Sequence, residues 1–311
     1  MDQTARVKGQ TMKIGLVGTG RMGKAIVLRL LEKGYPVTVW NRTTDKLKDL
    51  QTAGATLAQT PAALARGSDV IISILTNAEA QQAVFDTPVS GMLATDLRGK
   101  LFIEMSTVRP ESSRALEKKV EALGGQFVES PVGGTTGPAR EGKLLALVGA
   151  KPDAFAAALP LLHDLCRRIE HVGPVGAGSS LKLAVNLPLL VFWQAFGEAL
   201  SLVSHLTVPP ERLIDILSDT SGAPVALKAR APQFVARLQG QPPPNVSFDL
   251  FSILKDLQTM RAEAESVGIK VPVVTAAIQA YEDAVRAGLG HSDSIEQSLY
   301  WQSKTKKFYV N

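Results

Sequence analysis

The apolar run Ile14 to Val17 stops at Gly18-Thr19-Gly20-Arg21-Met22-Gly23, and a helical pattern begins before that segment ends. A strand that turns so abruptly into a helix needs a glycine for the tight turn, one where the backbone is approached from outside, and one where helix and strand pack closely. Gly18, Gly20 and Gly23 stand in those places. The first amides of the helix have no intrahelical acceptor and lie at the positive end of its dipole, so Thr19 to Met22 can meet an anion mainly through backbone. The next apolar run, 37–40, closes on Asn41-Arg42-Thr43, about twenty residues further on, which is where a reader of an adenosine ribose belongs. Strand, phosphate turn, helix and ribose reader in one βαβ unit describe a dinucleotide site.

The ribose reader also suggests which dinucleotide. A site for NAD usually carries Asp or Glu at the end of the second strand, where it holds the 2′-hydroxyl and would repel a 2′-phosphate. Asn41 is uncharged, Arg42 can fork onto phosphate and Thr43 adds a hydroxyl, so the segment reads as an NADP site, with NADPH preferred over NADH. The competing reading is a surface turn that caps a helix starting at Thr44 or Asp45.

The chain of 311 residues is long enough for two cores. The sequence predicts a disordered extension over 1–12, a dinucleotide-binding domain over 13–175 and a helical substrate and dimerisation domain over 176–311. Strands are expected at 14–17, 37–40, 70–75, 101–104, 127–129 and 144–148, alternating with helices at 24–33, 44–53, 61–66, 78–85 and 110–123. Such alternation predicts a doubly wound, mostly parallel sheet with ligands at the carboxyl ends of its strands. Polar residues fall at those ends: Thr76-Asn77 after one strand and Ser106-Thr107 after another either contact a ligand or cap a helix, with contact the stronger reading for Thr107. Past 171 only helices are expected, near 180–205, 210–219, 227–238, 248–267, 272–287 and 293–301. The first, roughly 40 Å long at its helical rise, should run out of the nucleotide domain and form the spine of the second.

Several function classes drop out. Cys166 is the single cysteine, so there is no internal disulfide and no Cys-rich zinc site, and His163, His171, His205 and His291 are too scattered for a metal. The net charge is +5, but Lys and Arg alternate with acids and only Lys304 to Lys307 is dense, so no nucleic-acid partner is expected. An uninterrupted apolar run of about eighteen residues is lacking and the polar start lacks a signal-peptide core, so no membrane partner is expected and a cytoplasmic address is the default.

Chemistry concentrates at the start of the long helix. Lys182 and Asn186 share one face of an otherwise apolar helix, after the Gly-rich, flexible-looking segment Gly173 to Gly178. Desolvating an ammonium is costly, so a lysine in such a place has a partner or a task, and Lys182 is a candidate general acid; the alternative is a side chain snorkelling to solvent. Ser130 to Gly137 is a second Gly-rich loop after a strand, suited to bringing backbone amides close to a small ligand or serving as a turn between domains. Lys255-Asp256-Leu257 taken alone is an ordinary charged step on a helix.

Together these pieces resemble the β-hydroxyacid dehydrogenase family, which includes 3-hydroxyisobutyrate dehydrogenases and glyoxylate and succinic semialdehyde reductases. The opening motif GLVGTGRMG is at Gly15 to Gly23, the substrate loop DAPVSGG is answered by Glu129 to Thr135, the motif GxxGxGxxxKxxxN by Gly173 to Asn186, and the late KDL by Lys255-Asp256-Leu257. The resemblance implies a Rossmann domain followed by an all-α domain built on a long interdomain helix, assembled as a homodimer or homotetramer through the helical domain. It implies Lys182 as catalytic acid/base, with Asn186, Ser130, Gly133, Gly134 and Thr135 toward the substrate. Leu75, Thr76, Thr107 and Lys255 would join the phosphate turn and ribose reader along the cofactor. Hydride would pass between nicotinamide and the carbonyl or hydroxyl carbon of a small, acidic substrate. One departure stands out: the family's loop serine is Gly133 here, which leaves backbone amides, Thr135 or Ser130 to compensate. Imine reductases resemble the chain too, with the same opening and an Asn-Arg-Thr, but usually without the lysine. A dehydrogenase-like module without catalysis is the remaining alternative.

Overall fold

The computed structural model describes residues 12–305. It opens with β1 (Ile14–Val17), α1 (Arg21–Glu32), β2 (Val37–Trp40), α2 (Lys48–Thr52), β3 (Thr56–Leu57), α3 (Pro61–Gly67), β4 (Val70–Ser73), α4 (Ala78–Phe85), β5 (Leu101–Glu104), α5 (Pro110–Ala122) and β6 (Gln126–Glu129). These six strands are parallel in the order β3-β2-β1-β4-β5-β6, with Ile14 level with both Val37 and Val70. The chain winds outward from β1 in one direction through β2 and β3 and in the other through β4 to β6. The order therefore reverses beside β1, and at such a switch point the crevice outside the strand ends takes ligands. The tight turn at Gly18 sits there.

Side chains alternate across the sheet. Leu16, Val39, Ile72 and Ile103 pack under α1 in one core, and Val17, Ile71, Phe102 and Phe127 in another with Leu64 and Leu116. The sheet continues through β7 (Val132–Gly133), α6 (Thr136–Glu141), β8 (Leu144–Ala150), α7 (Pro152–Leu165) and β9 (Cys166–Gly173), β8 running antiparallel to β6 and β7 and parallel to β9. β3, β7 and β9 were not among the expected strands. β9 escaped because Arg167, Arg168, Glu170 and His171 leave it no apolar run, the composition of an edge strand that charge protects from pairing further.

α8 (Ala177–Leu202) begins three residues earlier than its periodicity predicts, and in the Gly-rich segment before it Gly173 and Gly176 take positive φ angles of +137° and +101°. The chain divides into two compact units between Leu183 and Ala184, inside α8. The second unit adds α9 (Pro210–Ser218), α10 (Val225–Leu238), α11 (Leu250–Ser266), α12 (Pro272–Ala284) and α13 (Ile295–Thr305). Its core gathers Trp193, Phe196 and Leu200 of α8 with Ile214, Leu227, Phe234 and Ile295. By length and composition alone α8 passes as a membrane span, yet this packing is what a core helix does. The Tyr281 hydroxyl donates to the Leu190 carbonyl at 2.9 Å, and the Gln297 amide donates to the Gln194 side chain at 2.7 Å, so buried polar groups also tie α12 and α13 to α8.

Candidate active site

The phosphate turn is built by close approach. Gly18 has φ +91°, and a Cβ on Gly23 would stand 1.9 Å from the Gly18 carbonyl oxygen, so the turn closes only with glycine there. At Gly20, by contrast, nothing lies within 4 Å of where a Cβ would be: this glycine faces open space that a ligand can enter. Gly20 caps α1 without a side-chain bond, and the Thr19 hydroxyl is buried without a hydrogen-bond partner. An orphaned hydroxyl and a helix N-terminus around an open cradle fit a dinucleotide's pyrophosphate. Arg21 and Met22 supply the first turn of α1.

Asn41, Arg42 and Thr43 follow β2 directly. The Asn41 amide donates to the Thr43 carbonyl at 3.0 Å, bending the segment, while Arg42 and Thr43 are exposed. Thr43 precedes the helical turn at Thr44–Leu47, but its hydroxyl makes no capping bond, so capping does not account for it.

The ends of β4 and β5 are joined by a buried network. Leu75 N donates to Ser106 Oγ at 2.7 Å, Ser106 N donates to Glu104 Oε1 at 2.7 Å, and the Ser73 hydroxyl donates to the other Glu104 oxygen. Burial pushes the Glu104 carboxyl up to about 7, against the opposing pull of its hydrogen bonds from Ser106 and Ser73. Leu75 is thus held by Ser106, with Thr76 and Thr107 next to them in the chain. Arg109, not Thr107, occupies the cap position of α5, whereas Asn77 does cap α4, its Oδ1 accepting from Ala80 N at 2.9 Å.

The substrate loop of the sequence reading is partly strand: Val132–Gly133 pairs with β8. Ser130 N donates to the Glu104 carbonyl at 2.7 Å, and its hydroxyl is buried without a partner. Gly134 takes φ +127°, and the exposed Thr135 precedes α6 without a capping bond. Where the loop leaves β6, the buried Glu129 carboxylate accepts from Gly176 N at 2.8 Å, from Gly178 N at 3.0 Å and from the Ser179 hydroxyl. Lys182 follows one turn along α8 and is 8 % exposed. In the second unit the Asn186 amide donates to Asp256 Oδ2 at 3.2 Å, and Lys255 Nζ pairs with Asp256 Oδ1 at 2.5 Å.

The first unit therefore brings the phosphate turn, Asn41 to Thr43, Leu75, Thr76, Thr107 and Ser130 to the carboxyl ends of its parallel strands; Asn186 and Lys255 meet through Asp256 in the second. Sequence reasoning missed Glu104, Glu129 and Asp256. The available signal was the same for both glutamates: each follows apolar residues at the end of a strand, LFIE and QFVE, with a charge that has to find donors.

Residues 13–173 match the family model described as the NAD binding domain of 6-phosphogluconate dehydrogenase, and residues 176–299 the one described as NAD-binding of NADP-dependent 3-hydroxyisobutyrate dehydrogenase. Glyoxylate/succinic semialdehyde reductase 1 of Arabidopsis thaliana is 33 % identical over 91 % of this chain and 96 % of its own length. The solved structure of Psf3 in complex with NADP+ and 2-OPP superposes with a TM-score of 0.83 at 28 % identity, covering 92 % of this chain and 99 % of that one. An imine reductase from Myxococcus stipitatus in complex with NADP+ gives a TM-score of 0.61 at 24 % identity over 91 % and 98 % of the two chains, a likeness of fold. The chain belongs to the β-hydroxyacid dehydrogenase family and is an NAD(P)-dependent oxidoreductase acting on CH–OH groups.

Proposed function

We propose that this enzyme uses NADPH in preference to NADH to interconvert the carbonyl and hydroxyl forms of a small, acidic substrate, with Lys182 as the general acid/base. The observation that carries the reading is a buried lysine on the first turns of a helix whose start is fastened to the sheet. In this reading Thr19, Gly20, Arg21 and Met22 hold the pyrophosphate through α1, and Arg42 with Asn41 and Thr43 holds the 2′-phosphate. Leu75, Thr76 and Thr107 line the nicotinamide side, with Lys255 contributing a positive charge from α11. When bound, the nicotinamide supplies the hydride. Lys182 Nζ gives a proton to the carbonyl oxygen as negative charge develops on it, and takes the proton back in the oxidative direction. Asn186, one helical turn further along α8, and the amides of Gly133 and Gly134 with Ser130 and Thr135 orient the substrate. The second unit serves to assemble a homodimer or homotetramer.

Lys182 also favours a carbonyl over an imine, since an iminium already carries its positive charge and needs no proton on oxygen. Lys182→Ala should lower the reduction of small aldehydes and ketoacids, glyoxylate and succinic semialdehyde among them, by about a hundredfold or more while NADPH affinity stays near that of the intact enzyme. A small effect would turn the reading toward imine reduction. Tight NADPH binding without turnover of any substrate would instead favour a non-catalytic module.

A further inference from the structure

We infer that Glu129 is a positioning residue: its carboxylate fixes the helix that carries Lys182 to the strand from which the substrate loop departs, and so sets where the lysine stands. The inference rests on the role proposed for Lys182. Glu129 is fully buried at the end of β6 and receives three donors from the start of α8 and the residue just before it: the amides of Gly176 and Gly178 on Oε2 and the Ser179 hydroxyl on Oε1. Ser179 Oγ lies in turn 3.2 Å from Ser113 Oγ on α5. The first amides of a helix need acceptors, and here one side chain from another element supplies two of them. From Ser179 to Lys182 is less than one turn, so a shift at this anchor passes through rigid helix to the ammonium.

The surroundings are shaped for this side chain. A Cβ on Gly149 would lie 2.5 Å from Glu129 Oε2, and one on Gly178 would lie 3.0 Å from the same oxygen and 2.4 Å from the Leu147 carbonyl. Gly149 is the residue paired with Glu129 across β6 and β8. A side chain at either glycine would push the carboxylate away from the helix. Glu129 also immediately precedes Ser130, whose amide is bonded to β5, so one residue holds both the root of the substrate loop and the root of the lysine's helix.

What matters in this arrangement is the length of the side chain more than its charge. In Glu129→Gln the carbonyl oxygen can still accept from both amides, and the amide group can donate to Ser179 Oγ. In Glu129→Asp the charge stays, but one methylene is lost and the carboxylate falls short of the helix. Turnover should therefore rank Gln above Asp: kcat within about threefold of the intact enzyme for Gln and lowered about thirtyfold or more for Asp, with NADPH affinity preserved in both, as displacement of a reacting group by about an ångström implies. Hydrogen exchange gives a readout independent of turnover, since the amides of 176–179 should exchange faster in the Asp variant and as in the intact protein in the Gln variant. Asp equal to or better than Gln in kcat, or unchanged exchange in the Asp variant, would overturn the inference. If Lys182→Ala kept full activity, the role of the lysine would fail while the exchange data still decided whether Glu129 anchors the helix.

Discussion

In the proposed reading, Arg42 is the residue on which the choice between two cofactors turns. Its guanidinium is exposed just past β2, where uncharged Asn41 stands in the place of the usual carboxylate and its amide donates to the Thr43 carbonyl. A forked, charge-assisted contact discriminates strongly. Replacing Arg42 by alanine should shrink the ratio of NADH to NADPH dissociation constants by about tenfold or more, measured by fluorescence titration. Equal affinities in the intact enzyme would contradict the assignment of Asn41 to Thr43. Glu104 carries a different burden. Its folded-state pKa of about 7 lies above the unfolded carboxylate value, so the folded state binds the extra proton. Stability is then greatest below the unfolded pKa and falls as pH rises toward about 7, by an amount on the order of 3 kcal/mol at most. Glu104→Gln is neutral throughout and escapes that fall. Its melting temperature relative to the intact enzyme should accordingly rise by several degrees between about pH 5 and about pH 8; a difference that does not change with pH would show that Glu104 keeps an ordinary pKa.

At the scale of elements, the short strand β7 carries part of the proposed substrate loop. It holds Gly133 in register with Leu145, and the nearest neighbour of a Cβ there would be the Leu145 side chain at 3.5 Å, an ordinary contact. Space is thus not the reason for glycine at this position. Gly133→Ser should fold normally and restore the hydroxyl that the family loop offers, lowering KM for small hydroxy- or ketoacids severalfold; an unchanged KM would mean that the loop amides and Thr135 already satisfy the substrate. The parallel strands and the helices between them were readable from period and turn residues, because a strand buried on both faces is an unbroken apolar run and its turn needs glycine. β7 and β3, at two residues each, are too short to show a period, and β9 hides behind its charges. Phosphate turn, ribose segment and lysine could be proposed from the sequence because each chemistry needs particular residues at a local spacing. Glu129 was not: its donors are 47 to 50 residues away, and only the closed fold brings them to it.

For the molecule as a whole, the open question is what covers the second unit. Between α8, α12 and α13 lies an open groove of about 850 Å³ lined by Val191, Ala195, Pro272, Val273, Ala276 and Trp301 together with Glu198, Asp283 and Arg286. Val273 is 59 % exposed, and Leu202 at the end of α8 is 73 % exposed. Exposed apolar residues set among charges suit a protein interface. A second copy of the chain is the occupant that needs no other component, because a two-fold contact sets the same groove against itself. Sedimentation velocity should therefore find the enzyme as a dimer or tetramer. Val273→Glu with Ala276→Glu should shift it toward monomer without loss of helical circular dichroism, since both positions are exposed on α12 and like charges would face each other across the axis. A monomer in the intact enzyme, or an assembly indifferent to these two glutamates, would mean that the groove serves another partner.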